Sequence, residues 1–168
     1  GPCLQKPVHA LPLLRTMSGS EQNAEIDIQL LETITRDIDK DGLWWFKIEN
    51  RPWRQETFKE DQMWPCPQGR LMVALLDWHK VDHNDRWLEI VECLASGFNK
   101  IALRKEDRAW FYNSYKRSGW GVGETPSADF MEVSGSTLTA EEPPRTSNAA
   151  LGLPLRGLSR WYAVSGDD

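Results

Sequence analysis

One stretch, GRLMVALLDWHKVDHNDRW at residues 69–87, has the pattern of a helix, a short polar turn and the start of a second helix. Its apolar residues Leu75, Trp78 and Val81 are spaced three positions apart, so they share one face of an α-helix. The polar turn at 82–85 follows, and a turn this short joins neighbouring helices that run antiparallel. The stretch therefore predicts an α-helical hairpin.

The same pattern occurs twice more in the chain, which indicates a repeated hairpin. One copy, at residues 10–19, lies 64 positions before residues 74–83, and another, at 157–166, lies 83 positions after them. The first offset also relates two apolar helical stripes: Ile26, Leu30 and Ile34 correspond to Ile90, Leu94 and Phe98. An offset of 66 relates two aromatic triplets: Trp44-Trp45-Phe46 corresponds to Trp110-Phe111-Tyr112. Repeats of this length are typical of hairpins that stack on one another.

The repeat predicts an all-α fold of antiparallel helical hairpins, with short aromatic extended segments in the loops. The predicted helices lie at about 5–17, 21–38, 69–82, 85–103 and 147–164. They divide one partial domain, residues 1–168, into units at about 1–68, 69–146 and a truncated 147–168. Because a lone helix leaves its apolar face uncovered, we interpret the sequence as a fragment of a longer array that could self-associate through that face.

Composition narrows the classes of function. The net charge is −5 with no basic block, which argues against nucleic acid or a membrane surface as partner. No apolar run approaches the roughly 20 residues of a membrane span, and no signal peptide is recognisable, so localisation stays open. The cysteines Cys3, Cys66 and Cys93 form no paired motif, so we predict no metal or cofactor. Cys66 stands between two prolines, which predict an extended segment there.

Two segments resemble a known group of enzymes. They are residues 69–87 and the stretch ALGLPLRGLSRWYAVSGDD at 150–168. Both resemble the inner helix and following turn of the (α/α) toroid carbohydrate-active enzymes, the six-hairpin glycosidases and polysaccharide lyases. The resemblance covers most of the chain and rests on periodicity and turns. It implies about two and a half of six hairpins, with an oligo- or polysaccharide held by loops at the mouth of a cup.

The resemblance also directs attention to the loops at 41–68 and 108–147. Glycoside hydrolysis needs two carboxylates, and Asp61 and Glu124 lie nearest the aromatic segments, so we predict them as the catalytic pair. A lyase would instead need a base such as His or Tyr. The predicted substrate-binding residues are rings that pack on a pyranose and an arginine that binds a uronate: Trp44, Trp45, Arg51, Trp53, Trp110, Tyr112 and Trp120.

Two alternatives stay open. Each aromatic ring could belong to the core, and an arginine such as Arg51 could bind a uronate or simply stack on its neighbouring tryptophan. The same repeats and rings would also suit a non-catalytic helical module that binds glycans or a protein partner.

Overall fold

The computed structural model describes residues 5–49, 60–105, 108–111, 114–117 and 148–166. Its helices are α1 (Gln5–Ser18), α2 (Ala24–Thr35), α3 (Pro65–Asp82), α4 (Arg86–Ile101) and α5 (Asn148–Ser165). Its strands are β1 (Gln62–Met63), β2 (Leu103–Lys105), β3 (Arg108–Trp110) and β4 (Tyr115–Lys116). The predicted helical class is confirmed, and every helix lies within a few residues of its predicted position. No helix among the described residues is long and apolar enough to cross a bilayer.

The start of α3 differs from the prediction. The helix begins at Pro65, four residues earlier than expected, because proline at the first helical position has the required φ and lacks an N–H that would be unsatisfied there. Cys66 therefore lies in a helical turn, and the prediction of an extended segment around it is wrong. Burial raises the pKa of its thiol, which makes a reactive thiolate less accessible at neutral pH.

Helices α3 and α5 pack closely and run in the same direction. Near the start of α3, a Cβ on Gly69 would overlap the carbonyl group of Leu153 in α5. Further along both helices, the guanidinium of Arg160 donates two hydrogen bonds to Asp77, one of them 3.1 Å long. Gly157 lies against Gly69 from the other side. Glycine at this crossing lets the two backbones approach, which side chains would prevent.

Helix α1 packs on the other side of α3. The indole Nε1–H of Trp78 donates to the carbonyl oxygen of Val8 over 3.1 Å, and Nε2 of His9 lies 3.7 Å from Oδ2 of Asp77. Lys6 lies near enough to Cys66, at the start of α3, to lower the pKa of its thiol. These contacts place α1 along α3.

The hydrophobic core lies between α3, α4 and the segment that follows α2. Helix α4 supplies an apolar stripe with helical spacing: Trp87, Val91, Leu94, Phe98 and Ile101. The segment after α2 docks on this helix, because Gly42 lies against the backbone of Cys93 and the side chain of Leu43 contacts Gly97. Gly42 has a φ of 83°, a left-handed conformation that favours glycine.

Short strands join the segment before α3 to the segment after α4. Antiparallel pairing of β1 with β4 places Met63 opposite Tyr115, and an isolated bridge links Phe46 to Gln62. Strands β2 and β3 form a separate hairpin after α4. The carboxyl ends of α2 and α4 and the amino end of α3 therefore meet at one end of the helices, which we call the loop end.

Candidate functional site

The loop end carries a cluster of charged side chains, which we define as the loop-end cluster: Asp39, Asp41, Asp61 and Arg117. The guanidinium of Arg117 hydrogen-bonds the carboxylate of Asp39. Its Nη1 lies 3.4 Å from Oδ2 of Asp41, and its Nε lies 3.9 Å from Oδ2 of Asp61. One partly exposed cation thus brings three carboxylates from two stretches of chain together.

A tight turn fixes the first two carboxylates. The N–H of Gly42 donates to the carbonyl oxygen of Asp39, and the N–H of Asp39 donates to the carbonyl oxygen of Leu43, each over 2.9 Å. The side chain of Asp41 closes the turn by accepting the N–H of Leu43. Because Gly42 is pressed against α4, this turn has little freedom to move, and the two aspartates are held in place.

Strand pairing brings the third carboxylate to the same place. Asp61 immediately precedes β1, and Arg117 immediately follows β4. The pairing of these strands continues in a hydrogen bond of 3.2 Å from the N–H of Arg117 to the carbonyl oxygen of Asp61. Oδ1 of Asp61 accepts the N–H of Ile48 over 3.0 Å. The predicted catalytic residue Asp61 is therefore anchored at both its backbone and its side chain.

Trp45 lies beneath the cluster and is not open to solvent. The guanidinium carbon of Arg117 lies 4.0 Å from the centroid of the Trp45 ring, a cation–π arrangement. The indole Nε1–H donates to Oδ2 of Asp41 over 2.7 Å. The residue is 0% exposed, so the predicted open sugar platform is not found at Trp45. Its ring instead supports the charged groups above it.

Trp44 is also a core residue, with 2% of its surface exposed. Its ring packs edge-on against Phe46, with the centroids 6.3 Å apart, and its backbone N–H donates to Oε1 of Gln68. An open sugar platform is therefore not found at Trp44 either, because the segment that carries it is docked between α4 and β1.

Buried polar groups next to Trp44 have no partner. Among the described residues, none accepts a hydrogen bond from Nε1 of Trp44 or Nε2 of Gln68, and the buried amide of Gln5 is also unpaired. An unsatisfied buried donor costs free energy, so such groups call for a water molecule or a ligand oxygen. Within the described parts of the chain, Trp44 and Gln68 thus place two unpaired donors near the amino end of α3.

Neighbouring groups in the cluster lower the pKa of the Asp39 carboxyl group and so limit its chemical role. The N–H of Lys40 lowers the pKa of the Asp39 carboxyl, and the guanidinium of Arg117 lowers it further. Asp39 is therefore ionised at neutral pH. A general acid must be protonated at its working pH, so Asp39 suits the role of an ion-pair partner rather than that of an acid.

Of the other predicted site residues, only Trp110 lies within the described parts of the chain. Trp110 belongs to β3, where it pairs with Leu103. Five predicted residues lie outside the described residues: Arg51, Trp53, Tyr112, Trp120 and Glu124. Asp39 and Asp41 were not among the predicted site residues. Their signal was the spacing of three aspartates before a glycine in DIDKDG at 37–42, which is typical of a tight acidic turn.

The cluster does not have the composition of a metal centre. Within the described parts of the chain, no three carboxylate, imidazole or thiol groups are arranged to hold a metal ion. In the loop-end cluster the position between the carboxylates is taken by Arg117.

Comparison of the chain with protein-family models, with curated proteins and with solved structures finds no match in any of the three. The geometry of the loop end therefore provides the basis for the proposed function.

Proposed function

We propose that the chain belongs to a carbohydrate-active enzyme of the (α/α) toroid type, a glycosidase or polysaccharide lyase, and that it acts on sugar at the loop end. One observation carries the proposal. The pairing of β1 with β4 joins the segment before α3 to the segment after α4 and places Asp61 with two other carboxylates around Arg117. The parallel packing of α3 and α5 supports the toroid arrangement, since stacked hairpins repeat the same direction.

Asp61 has the setting of a base or a nucleophile. The hydrogen bond from the N–H of Ile48 to Oδ1 fixes the direction of the Asp61 side chain. Glycoside hydrolysis pairs such a carboxylate with a protonated acid about 5–10 Å away. Asp39 is excluded as that acid by its lowered pKa. We therefore assign the acid to the loop that contains Glu124.

A second candidate is a module that binds glycans or a protein without turnover. It is favoured by the saturated contacts of the cluster. Arg117 neutralises Asp39 and Asp41, and Trp45 is covered by that guanidinium. Because these charged and aromatic groups already contact one another, a ligand would bind beside them. None of them would supply a protonated general acid.

The test is an assay of the protein against neutral polysaccharides and polyuronates, measuring new reducing ends and unsaturated uronates. The Asp61→Asn variant keeps the size of the side chain and removes its charge. We expect product with the wild type and a loss of at least about 100-fold in the variant, the usual contribution of a positioned acid or base. The matched control is Asp85→Asn, at the turn between α3 and α4, where the side chain is mostly exposed.

The outcomes separate the two candidates. Product from the wild type and from Asp85→Asn, but not from Asp61→Asn, supports the enzyme. Binding that survives in every variant without any product supports the module. The absence of both binding and product for every polysaccharide contradicts the carbohydrate proposal.

A further inference from the structure

The three helices α1, α3 and α5 are related by the sequence repeat, yet their faces are not equally covered. Helix α3 packs α1 on one side and α5 on the other. The equivalent faces of α1 and α5 can be located from the offsets of 64 and 83 residues. In a repeat, a surface that holds a neighbour in one unit predicts a docking surface at the same positions of the next unit.

The face by which α3 holds α5 is centred on Gly69. A Cβ at this position would overlap the backbone of Leu153 and Pro154, so the glycine forms a notch for the neighbouring helix. The equivalent position on α5 is Gly152, where an added Cβ would meet no atom of the described residues within 4 Å. Gly152 is therefore the same notch without a helix in it.

Exposed apolar residues continue this notch along α5. Leu155, the equivalent of Met72, is 56% exposed, whereas Met72 is fully buried at the contact with Gly157. Tyr162, one turn beyond the middle of α5, is also exposed. A face that is buried on α3 is thus open on α5.

Helix α1 has the complementary open face. On α3 the side chains of Asp77 and Trp78 contact α1, and their equivalents on α1 are Leu13 and Leu14. Both leucines are more than half exposed, and Leu14 lines a shallow surface depression. The same open face includes two further exposed residues with helical spacing: Ala10 and Met17.

We propose that the chain binds a second copy of itself head to tail, with α1 of one copy docked on α5 of the next in the way that α5 docks on α3. The two faces differ, so the contact is heterologous and can be repeated or closed into a ring. The internal α3–α5 contact provides the template, because the proposed interface continues it at equivalent positions.

The repeat assigns the contacts of this interface. The backbone of Lys6 and Pro7, equivalent to Leu153 and Pro154, would lie in the notch at Gly152. Leu155 would then pack against Leu14 of the other copy, because Val8 contacts Trp78 at the corresponding positions of α1 and α3. The small residue Ala10 takes the place of Gly157 at the closest approach.

Two variants test the interface from its two sides. Gly152→Leu fills the notch on α5 with no intrachain clash, because the position is open. Leu14→Glu places a charge on the exposed face of α1. In sedimentation velocity over a wide concentration series, we expect the average mass of the wild type to rise above that of two chains. Each variant alone is expected to remain at the single-chain mass of 19.3 kDa.

Mixing the variants distinguishes head-to-tail contact from any other. An equimolar mixture retains one intact α5 face on the Leu14→Glu chain and one intact α1 face on the Gly152→Leu chain. We expect that mixture to form a dimer and to stop there. The control Val81→Glu adds the same charge to α3, which already has both neighbours, and should associate like the wild type.

Three results would overturn the proposal. They are a wild-type mass that stays at one chain at every concentration, a single variant that still associates, and a mixture that stays monomeric while the wild type associates. Circular dichroism of each variant verifies the helical fold, so that a loss of association is not mistaken for unfolding.

Discussion

The contact between α3 and α5 and the loop-end cluster are built in opposite ways. The helix contact depends on the absence of side chains at Gly69 and Gly157, which lets two backbones touch. The loop-end cluster depends on charged side chains, with one guanidinium between three carboxylates. The first excludes water and tolerates no added atom, whereas the second remains partly exposed to water.

This difference indicates which of the two regions contributes to folding stability and which to ligand recognition. Packing in a dry interior makes a large contribution to stability, because every added or deleted methyl group is felt. Ion pairs that water can reach contribute little, and Arg117 is 38% exposed in its side chain. We therefore expect changes at the helix contacts to affect folding, and changes at the cluster to affect ligand recognition with little effect on folding.

The largest effect is expected at Trp44, which is buried and hydrogen-bonded to Gln68 of α3. The change Trp44→Ala deletes a buried ring that packs against Phe46, and it should cost about 3–5 kcal/mol of unfolding free energy. Denaturant unfolding followed by circular dichroism measures it. Trp44→Phe, which keeps an aromatic ring but loses part of the indole with its N–H, is the matched control and should cost less. A loss below about 1 kcal/mol in the alanine variant would contradict the core position of Trp44.

The next effect separates two glycines with equivalent positions in the repeat. Gly69→Ala forces α3 and α5 apart and should cost about 3 kcal/mol. Gly152→Ala meets open space inside a helix and should stabilise the protein by about 0.5–1 kcal/mol. Denaturation midpoints of the two variants test the pair together. Equal midpoints would contradict the close α3–α5 contact.

A smaller effect is expected from Arg117→Met. The variant keeps much of the side-chain volume but removes the cation from three carboxylates, and solvent screening limits the cost to about 1 kcal/mol. The fluorescence of Trp45 should change, since the guanidinium lies on its ring. Arg86→Met, which removes an exposed cation from above Trp87, is the control for stacking without carboxylates. A loss of several kcal/mol at Arg117 would show that the cluster carries the fold.

The smallest effect concerns acid stability. The pKa of Asp39 is lowered from its ordinary 3.8, so the ionised carboxylate stabilises the folded state at pH values above 3.8, and this contribution is lost as the pH falls through the folded pKa. The stability difference between the wild type and Asp39→Asn should therefore shrink as the pH falls below 3.8. Unfolding midpoints between neutral and acid pH measure it.

The helices could be predicted from the sequence because their signals are local. The stripe of Ile90, Leu94 and Phe98 was sufficient to locate α4, and the repeat located α5 from the pattern of α3. Helix bounds shifted where local chemistry outweighed periodicity, as at Pro65. The use of α3 as the helix between two neighbours follows from the repeat itself.

The candidate site could be predicted only in part because it depends on contacts between distant residues. Asp61 was identified from its position near an aromatic loop, but its partner Arg117 is brought there by the pairing of β1 with β4. The aromatic triplet gave no sign of which rings face the core. Trp44 and Trp45 are buried because Gly42 docks their segment against α4, a contact that no local pattern reveals.

The most direct test of the account locates a bound sugar on the protein by NMR titration with oligosaccharides from the same panel. If the loop end is the binding site, the amide signals of Ile48 and Arg117, which both donate to Asp61, and the indole signal of Trp45 should shift together and saturate. The amide signals along the open faces of α1 and α5 should stay in place. Shifts confined to those faces, or no shift with any oligosaccharide, would contradict it.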